Sequence, residues 1–380
     1  MECKERRVKC DEERPCRACA VRVRTRRRPL APARRPEAFE DQSIASPDGY
    51  ASPPDPFHFF SGLLVDYKPE NASNWIMDVE LMHHYTASAY KTLVSSPEVQ
   101  DALQHDLPKE GLRHPFLMHQ LLAFAGFHLA YTQPERRHIY LKQASQHQNF
   151  TIHGMRKTLA GSISSENCHA TYATSIFISL GAFAVYPCYE NYNTFFSPID
   201  SLVEIFTLIT GMGLILSTSD EELRAGPLKR LFTKHVEGED PDHPCPQLSG
   251  RLPLLEAQLD EVGPEFDEEV KNCMKGATTS LQNCLNRVAT QNTGLGHSAL
   301  RAAFLWPLLL PAQCLEWIRC RHPAAMVILA HYALVLHSAE ADCWYLRGWG
   351  RAIAESVAEA LAGTQWLNLA RWPISVIRGD

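Results

Sequence analysis

The chain has 380 residues, 45% of them hydrophobic, and a formal net charge of −6 at pH 7. This length suggests about two domains and leaves ample material for a buried core. The charge is uneven, because residues 1–36 carry +8 and the other 344 residues carry −14. The asymmetry predicts that the basic N-terminal segment meets a polyanion and that the acidic remainder does not.

Neither secretion nor membrane insertion is predicted. The N-terminal residues are charged, and no apolar signal-peptide segment follows them. The longest apolar run, residues 205–216, has 12 residues, which is too few for a helix that spans a bilayer. In a reducing compartment, clustered cysteines favour metal binding over disulfides.

Four cysteines cluster in the opening stretch MECKERRVKCDEERPCRAC. They are Cys3, Cys10, Cys16 and Cys19, with the spacing C-x6-C-x5-C-x2-C. Thiolates are soft ligands that suit zinc, which they hold tetrahedrally. A segment this short has no hydrophobic core, so bound metal would have to supply its folding free energy. We therefore predict a metal-binding module over residues 1–28.

Residues 29–70 are predicted to form a disordered linker. Seven of the 28 residues from 29 to 56 are proline, with Ser, Gly and Asp between them. Such a stretch buries too little apolar surface to offset the entropy lost when it is ordered.

Residues 71–380 are predicted to form an all-α domain with a multilayer core. Apolar side chains recur at spacings of three and four from Trp75 onward, and we find no run of alternating strands and hairpin turns. Ser197 followed by Pro198 marks a helix start. Several helices are apolar beyond one narrow stripe, which indicates multilayer packing rather than a simple bundle. The later predicted helices cover residues 135–158, 166–184, 199–217, 264–291, 299–319, 323–338, 347–362 and 365–379.

The histidines of this all-α domain are interpreted as structural. We expect His331 to be a core or boundary histidine with a hydrogen-bond partner. His83 and His84 are adjacent and point to different faces of a helix, so they are poor joint metal ligands. The acidic, proline-rich stretch 236–247 predicts a loop, in which we expect Cys245 to be exposed.

The N-terminal segment resembles the fungal Zn2Cys6 binuclear cluster family, whose pattern is C-x2-C-x6-C-x5–12-C-x2-C-x6–9-C. The spacing, the basic spacer, the Asp after Cys10 and the Pro before Cys16 match its second to fifth cysteines. The resemblance implies two Zn2+ ions in a complete cluster. The family's first cysteine would fall before Met1, and its last would fall at 26–29, where the chain reads RRRP. We therefore expect a truncated or mis-spliced gene and an incomplete cluster.

The same resemblance implies binding to double-stranded DNA at CGG-like sites. In the family a short helix of the cluster enters the major groove, and Arg6 and Arg7 occupy the positions that contact bases. Arginine donates hydrogen bonds to guanine O6 and N7. Lys4, Lys9 and Arg17 are expected to contact phosphates, which position a protein without reading sequence.

The helical part has its own resemblance. The stretches WIMDVELMHHYTASAYKTL, LGHSALRAAFLWPLLLP, HPAAMVILAHYALVLH and CWYLRGWG are similar to the fungal-specific regulatory domain of the sterol uptake control type. This implies a nuclear regulator of RNA polymerase II genes, with shuttling from the cytoplasm as an option, whose helical domain binds an apolar molecule such as a sterol. Gly211 and Gly213 would allow close approach of a helix or ligand. Ordinary core packing explains the apolar helices equally well, and homodimerisation stays open.

Two other classes of function were compared with this interpretation. A ligand-binding or dimerising regulator that has lost DNA binding is the alternative, because two cluster cysteines are missing. An enzyme is not predicted, since the chain has no G-x-S-x-G, Walker loop, dinucleotide fingerprint or H-E-x-x-H motif. No ligand-binding residue can be named from the sequence.

Overall fold

In a computed structural model of the chain, every regular element of the described residues is helical, which confirms the predicted all-α class. The predicted zinc module (1–28) and linker (29–70) lie outside these residues, so both assignments stay predictions. The described residues are 75–94, 96–189, 197–232, 244–262, 268–290 and 296–380.

These ranges contain fifteen α-helices, together with short turns, 3-10 segments and one π-helical segment (Ala102–Asp106). The helices are, in chain order, α1 (Trp75–Ala87), α2 (Pro97–Asp101), α3 (Leu107–Gly111), α4 (Pro115–Thr132), α5 (Arg137–Ala160), α6 (Cys168–Tyr189), α7 (Pro198–Thr218), α8 (Asp220–Ala225), α9 (Pro246–Val262), α10 (Glu268–Thr290), α11 (Ser298–Leu309), α12 (Ala312–Arg319), α13 (Pro323–Ala339), α14 (Trp349–Ala360) and α15 (Leu367–Arg378).

Helices α6 and α13 lie at the centre of the fold. Every residue of α6 from Cys168 to Val185 is buried, and so is every residue of α13 from Ala324 to Leu336. A helix that is apolar all round is stable only when neighbours cover it on every side. Helices α4, α5 and α7 pack against α6, and α10, α11, α14 and α15 pack against α13. This arrangement is the predicted multilayer core.

Among the described residues, two helices meet the length and composition required to span a membrane. They are α6, with 22 residues, and α7, with 21. The most apolar stretch of α6 is completely buried inside the protein, and that of α7 is half buried. The 12-residue run counted in the sequence therefore understated the length of the apolar helices. The absence of a membrane span stays a prediction, supported by the burial of α6.

The start of α7 follows the predicted Ser-Pro signal. The side chain of Ser197 accepts a hydrogen bond from the backbone N–H of Asp200 (3.4 Å), and Pro198 takes the first helical position. Arg321 donates to the Asp200 carboxylate at 2.7 Å, which ties this helix start to the turn before α13. A capping side chain satisfies one of the N–H groups that a helix start leaves unpaired.

The single helix predicted over 299–319 is wrong. Two helices, α11 and α12, occupy this stretch, and their axes differ in direction by 101°. Leu310, the first of the two residues between them, has an extended backbone (φ −72°, ψ 127°) and precedes Pro311. Proline disfavours the helical conformation of the residue before it, which explains the bend.

The expectation of an exposed Cys245 is also wrong. This residue is buried just before α9, a helix that was not predicted. Its Sγ lies 2.9 Å from Oγ of Ser338 on α13, so the chain turns inward there. His235 and His243, which were likewise expected to be exposed, lie outside the described residues. A further unpredicted feature is a disulfide that joins Cys273 of α10 to Cys314 of α12.

Two pairs of histidines connect the first long helices. Nε2 of His84 on α1 lies 2.9 Å from Nδ1 of His128 on α4, and Nδ1 of His119 on α4 lies 3.0 Å from Nδ1 of His147 on α5. Burial, and secondly the neighbouring histidine, lowers the pKa of both His119 and His128 to about 4. His119 and His128 are therefore neutral at pH 7.

The expectation for His331 is confirmed, because it is buried and its Nδ1 lies 2.8 Å from the carbonyl oxygen of Val327. His83 is exposed while His84 faces α4, as predicted from their adjacency.

Close helix packing depends on particular glycines. A Cβ at Gly213 would lie 2.5 Å from Cδ2 of Leu308, so the expected close approach of another helix is confirmed there. No described helix approaches Gly211, where a Cβ would meet open space. The tightest backbone approach is at Gly350 of α14, where a Cβ would lie 2.9 Å from both Cα and N of His337 on α13.

Gly350→Ala should therefore lower the free energy of unfolding by about 2–3 kcal/mol, because the new methyl group overpacks against backbone that cannot move aside. The matched change Gly211→Ala should raise it by up to about 1 kcal/mol through better helix propensity. Urea unfolding followed by circular dichroism measures both. If both variants changed the free energy of unfolding by the same amount and in the same direction, the close packing between α13 and α14 would be contradicted.

Acid should destabilise the protein through His119 and His128. Their folded pKa lies below the ordinary value of 6.5, so the unfolded chain binds protons first as pH falls. The contribution of each neutral histidine to the free energy of unfolding is fully present above about pH 6.5 and is lost progressively towards pH 4. This contribution is on the order of 2 kcal/mol for each histidine after allowance for solvent screening.

His128→Gln should flatten the dependence of unfolding free energy on pH between these limits, and His153→Gln, an exposed change on α5, should not. Urea titrations at several pH values provide the measurement. An unchanged slope in His128→Gln would show that this histidine is not held neutral by the fold.

Candidate functional site

All sequence-predicted site residues lie in the N-terminal segment, outside the described residues. The zinc and DNA assignments therefore stay predictions. They concern the metal ligands Cys3, Cys10, Cys16 and Cys19 and the DNA contacts Lys4, Arg6, Arg7, Lys9 and Arg17. In the part of the chain from Trp75 onward that the structure describes, no group of three or more His, Cys, Asp or Glu residues could hold a metal ion.

The described residues form a partly open cavity of about 470 Å3. Its walls are formed mainly by α6, α7, α10 and α11, and the remainder comes from short segments beside them. Apolar ligand sites in proteins have volumes of about 300–1,000 Å3, so this cavity is large enough to hold a small molecule. It lies beside the buried helix α6, which supplies its deepest wall through Ile176, Phe177 and Leu180.

Fourteen of the nineteen lining residues are apolar, and the other five are two tyrosines and three arginines. The apolar residues are Leu93, Leu103, Ile176, Phe177, Leu180, Met212, Leu216, Leu231, Phe232, Val288, Leu300, Phe304, Leu305 and Leu308; the polar ones are Tyr172, Tyr345, Arg224, Arg287 and Arg301.

The helix period explains why α11 dominates this wall. Leu300, Phe304 and Leu308 are spaced by four, so their side chains lie on one face of the helix. Phe304 and Leu308 are partly buried: each packs against the core and also lines the cavity.

The three arginines differ in their surroundings. Nε of Arg224 is 2.8 Å from both carboxylate oxygens of Asp220, and this hydrogen bonding raises the pKa of Arg224. Arg287 is exposed in the last turn of α10, where the negative end of the helix dipole favours a cation. Arg301 is partly buried in the first turn of α11, and burial lowers its pKa.

A buried hydroxyl also borders the cavity. Tyr345 is fully buried, and burial raises its pKa well above the usual value of 10. Its hydroxyl lies near the thiol of Cys343, a weak hydrogen-bonding group, and finds no stronger partner among the described residues.

The cavity could not have been found from the sequence. Its lining residues extend from Leu93 to Tyr345, and most belong to helices whose apolar period looks the same whether the side chain meets protein or empty space. The only available signal was an excess of apolar helices. The packing of α6 and α13, which are buried on all sides, explains the same excess of apolar helices without a cavity.

Comparison with known proteins finds relatives among fungal regulators. The chain is 27% identical over 188 residues to the Zn(2)-C6 fungal-type transcription factor afumD of Aspergillus fumigatus. This match covers 48% of this chain and 45% of the relative. It is 21% identical over 319 residues to a Zn(2)-C6 fungal-type transcription factor of Gibberella zeae, covering 79% of this chain and 62% of the relative. No family profile matches the chain.

A shorter match links the chain to sterol uptake control protein 2 of Candida albicans, at 37% identity over 59 residues, or 15% of this chain and 8% of that protein. The chain thus spans about half to two thirds of the length of its longer-matching relatives. The relatives are named as transcription factors and control proteins, not as enzymes. The resemblance predicted from the cysteine spacing and the helical motifs is confirmed: the chain is a relative of the fungal Zn(2)-C6 transcription factors and of the sterol uptake control proteins.

Proposed function

We propose that this chain is a nuclear transcription regulator that reads CGG-like DNA through an N-terminal zinc module and controls RNA polymerase II genes through its helical domain. The observation that carries the proposal is a basic C-x6-C-x5-C-x2-C segment followed by a helical domain, in a chain whose relatives are named Zn(2)-C6 transcription factors. The relatives' names support regulation in general. The DNA site and the ligand are parts of the proposal.

The donor chemistry of the N-terminal segment suits zinc. Cys3, Cys10, Cys16 and Cys19 supply four thiolates, the number that one tetrahedral zinc ion needs. The two-zinc cluster implied by the family pattern uses six cysteines. The sixth position of that pattern falls within 26–29, where the chain has three arginines and a proline.

The helical domain supports a ligand-dependent regulator. A cavity of about 470 Å3 with fourteen apolar lining residues fits an apolar small molecule, and one relative is named for the control of sterol uptake. We propose a sterol-like molecule as the first ligand to test. Ligand binding would act by stabilising one arrangement of α6, α7, α10 and α11 over others.

A second candidate function is a ligand-binding or dimerising regulator that does not bind DNA. The arginines and proline at 26–29, in place of the expected cysteine, favour this candidate. Metal analysis of the reduced, purified chain separates the two, because loss of zinc would leave the N-terminal segment without a source of folding free energy.

Arg6→Ala combined with Arg7→Ala should abolish the preference for CGG over a scrambled duplex. Each arginine–guanine pair contributes about 1–3 kcal/mol of discrimination. Fluorescence anisotropy with zinc present, at several salt concentrations, measures both affinities.

The matched control, Arg27→Ala with Arg28→Ala, should weaken binding to both duplexes to a similar degree, because neutralisation of phosphate charge does not depend on base sequence. A retained CGG preference in the Arg6/Arg7 variant would refute base reading by these residues. A wild-type chain that shows no CGG preference would favour the second candidate.

Leu305→Trp should reduce the affinity for dehydroergosterol, a fluorescent sterol, by roughly tenfold or more, because the larger side chain fills space that the ligand needs. Leu254→Trp, which enlarges an exposed residue of α9, should leave the affinity unchanged. Energy transfer from tryptophan to the sterol provides the measurement, with thermal unfolding as a check of the fold. Equal affinities in both variants would place sterol binding outside this cavity.

A further inference from the structure

We propose that the exposed side of helix α1 binds a segment of this same chain, residues 56–67, which folds back onto the helical domain. This segment lies outside the described residues, and positions 68–74 separate it from α1. The proposal concerns a surface that neither the proposed zinc module nor the cavity uses. It shortens the predicted linker (29–70) at its C-terminal end.

The side of α1 that faces away from the core is apolar. Trp75, Ile76 and Val79 are 68%, 61% and 58% exposed. Their spacing of three and four places them together on one side of the helix, with His83 one turn further along. We call these four residues the α1 face. The buried residues of the helix are Met77, Leu81 and Tyr85.

This clustering of exposed large apolar side chains does not recur among the described residues. The pair closest in sequence elsewhere is Phe150 and Leu159, nine positions apart on α5. Exposed apolar residues that stand singly are normal on a protein surface, whereas a contiguous group indicates a binding surface.

The chemistry of the α1 face indicates an apolar partner, because none of its four residues is Lys, Arg, Asp or Glu. The neighbouring carboxylates have partners within the domain. Oδ1 of Asp78 lies 3.2 Å from Nε2 of His147 on α5. Oε1 of Glu80 accepts hydrogen bonds from Arg136 at 3.0 Å and from Tyr140 at 2.8 Å. A charged partner would therefore find no opposite charge on the face itself.

The chain directly before α1 contains a stretch of matching composition. Seven of the eleven residues from 57 to 67 are Phe, Leu, Val or Tyr, and none is proline. The proline-rich composition that predicts a disordered linker ends at Pro56.

A short amphipathic helix is predicted over residues 56–67. Apolar residues spaced by three, four and three form one side of it: Phe57, Phe60, Leu64 and Tyr67. Asp55 followed by Pro56 is a helix-start signal of the kind that opens α7. Pro69 ends the pattern, because the residue before a proline disfavours helical backbone.

This predicted helix needs a surface to pack against. Isolated helices shorter than about 12–15 residues are marginal in water, and Gly62 costs about 1 kcal/mol more than alanine would at that position. The α1 face is the apolar surface nearest to it in sequence.

The length of the connection favours contact within one chain. The seven residues 68–74 can span at most about 25 Å, and a helix over residues 56–67 would be about 18 Å long. The segment can therefore lie antiparallel beside α1, as in a helical hairpin. A connection this short gives an effective concentration in the mM range, which favours the chain's own segment over that of a second copy at micromolar protein.

Hydrogen–deuterium exchange of the full chain, followed by mass spectrometry of its peptides, measures this contact. The backbone amides of residues 57–67 should exchange roughly tenfold or more slowly than those of an unfolded chain. Ile76→Asp combined with Val79→Asp should remove this protection and leave α6 and α13 protected, because burying a charge under the segment is unfavourable. Leu254→Asp, at an exposed apolar residue of α9, should leave the protection of residues 57–67 unchanged.

Changes in the segment itself provide the reverse test. Phe60→Asp combined with Leu64→Asp should remove the same protection and speed exchange several-fold in residues 76–83 of α1, because nothing then covers the α1 face. Phe39→Asp, in the proline-rich stretch, should change neither. Since these variants alter no described residue, they decide the question if the Ile76/Val79 variant does not fold.

Exchange of residues 57–67 at the unfolded rate in the wild-type chain would refute the proposal. Protection that survives Ile76→Asp with Val79→Asp would also refute it, because the segment would then pack on another surface. Protection that appears only at high protein concentration, together with a dimer in analytical ultracentrifugation, would overturn the contact within one chain and assign the segment to a second copy.

Discussion

The structure depends on covering two helices that have no polar face. Helices α6 and α13 are buried around their whole circumference over most of their length, so they can exist in water only as the centre of a larger assembly. The neighbouring helices must approach them closely. Gly350 allows this at the crossing of α13 and α14, where the backbone of His337 leaves no room for a side chain.

The cavity is the exception to this close packing. Protein interiors leave few voids larger than a water molecule, whereas this partly open cavity has the volume of about 15 waters. Its lining is mainly apolar and gives water few hydrogen-bond partners. Close packing around α13 thus contrasts with open space beside α6, and the ligand of the proposed regulator would occupy that space.

Sequence reasoning succeeded where the determining interactions are local. The start of α7 followed from Ser197 and Pro198, and the separate environments of His83 and His84 followed from adjacency on one helix. It failed where a distant partner decides. Gly211 and Gly213 are equivalent in sequence, yet only Gly213 meets another helix, and the burial of Cys245 depends on α13. The cavity could not be predicted, because the hydrophobic periodicity of a helix is the same whether or not a neighbouring side chain fills the space beside it.

The Cys273–Cys314 disulfide gives the helical domain a dependence on redox conditions. It joins residues separated by 41 positions and connects α10, one wall of the cavity, to α12 beyond the bend after α11. Closing a loop of this length lowers the entropy of the unfolded chain by an amount worth about 4 kcal/mol. In the proposed nuclear location the protein would meet reducing thiols, which would break this link. The same polypeptide purified with and without reductant would then differ in how firmly α10 and α12 are held together.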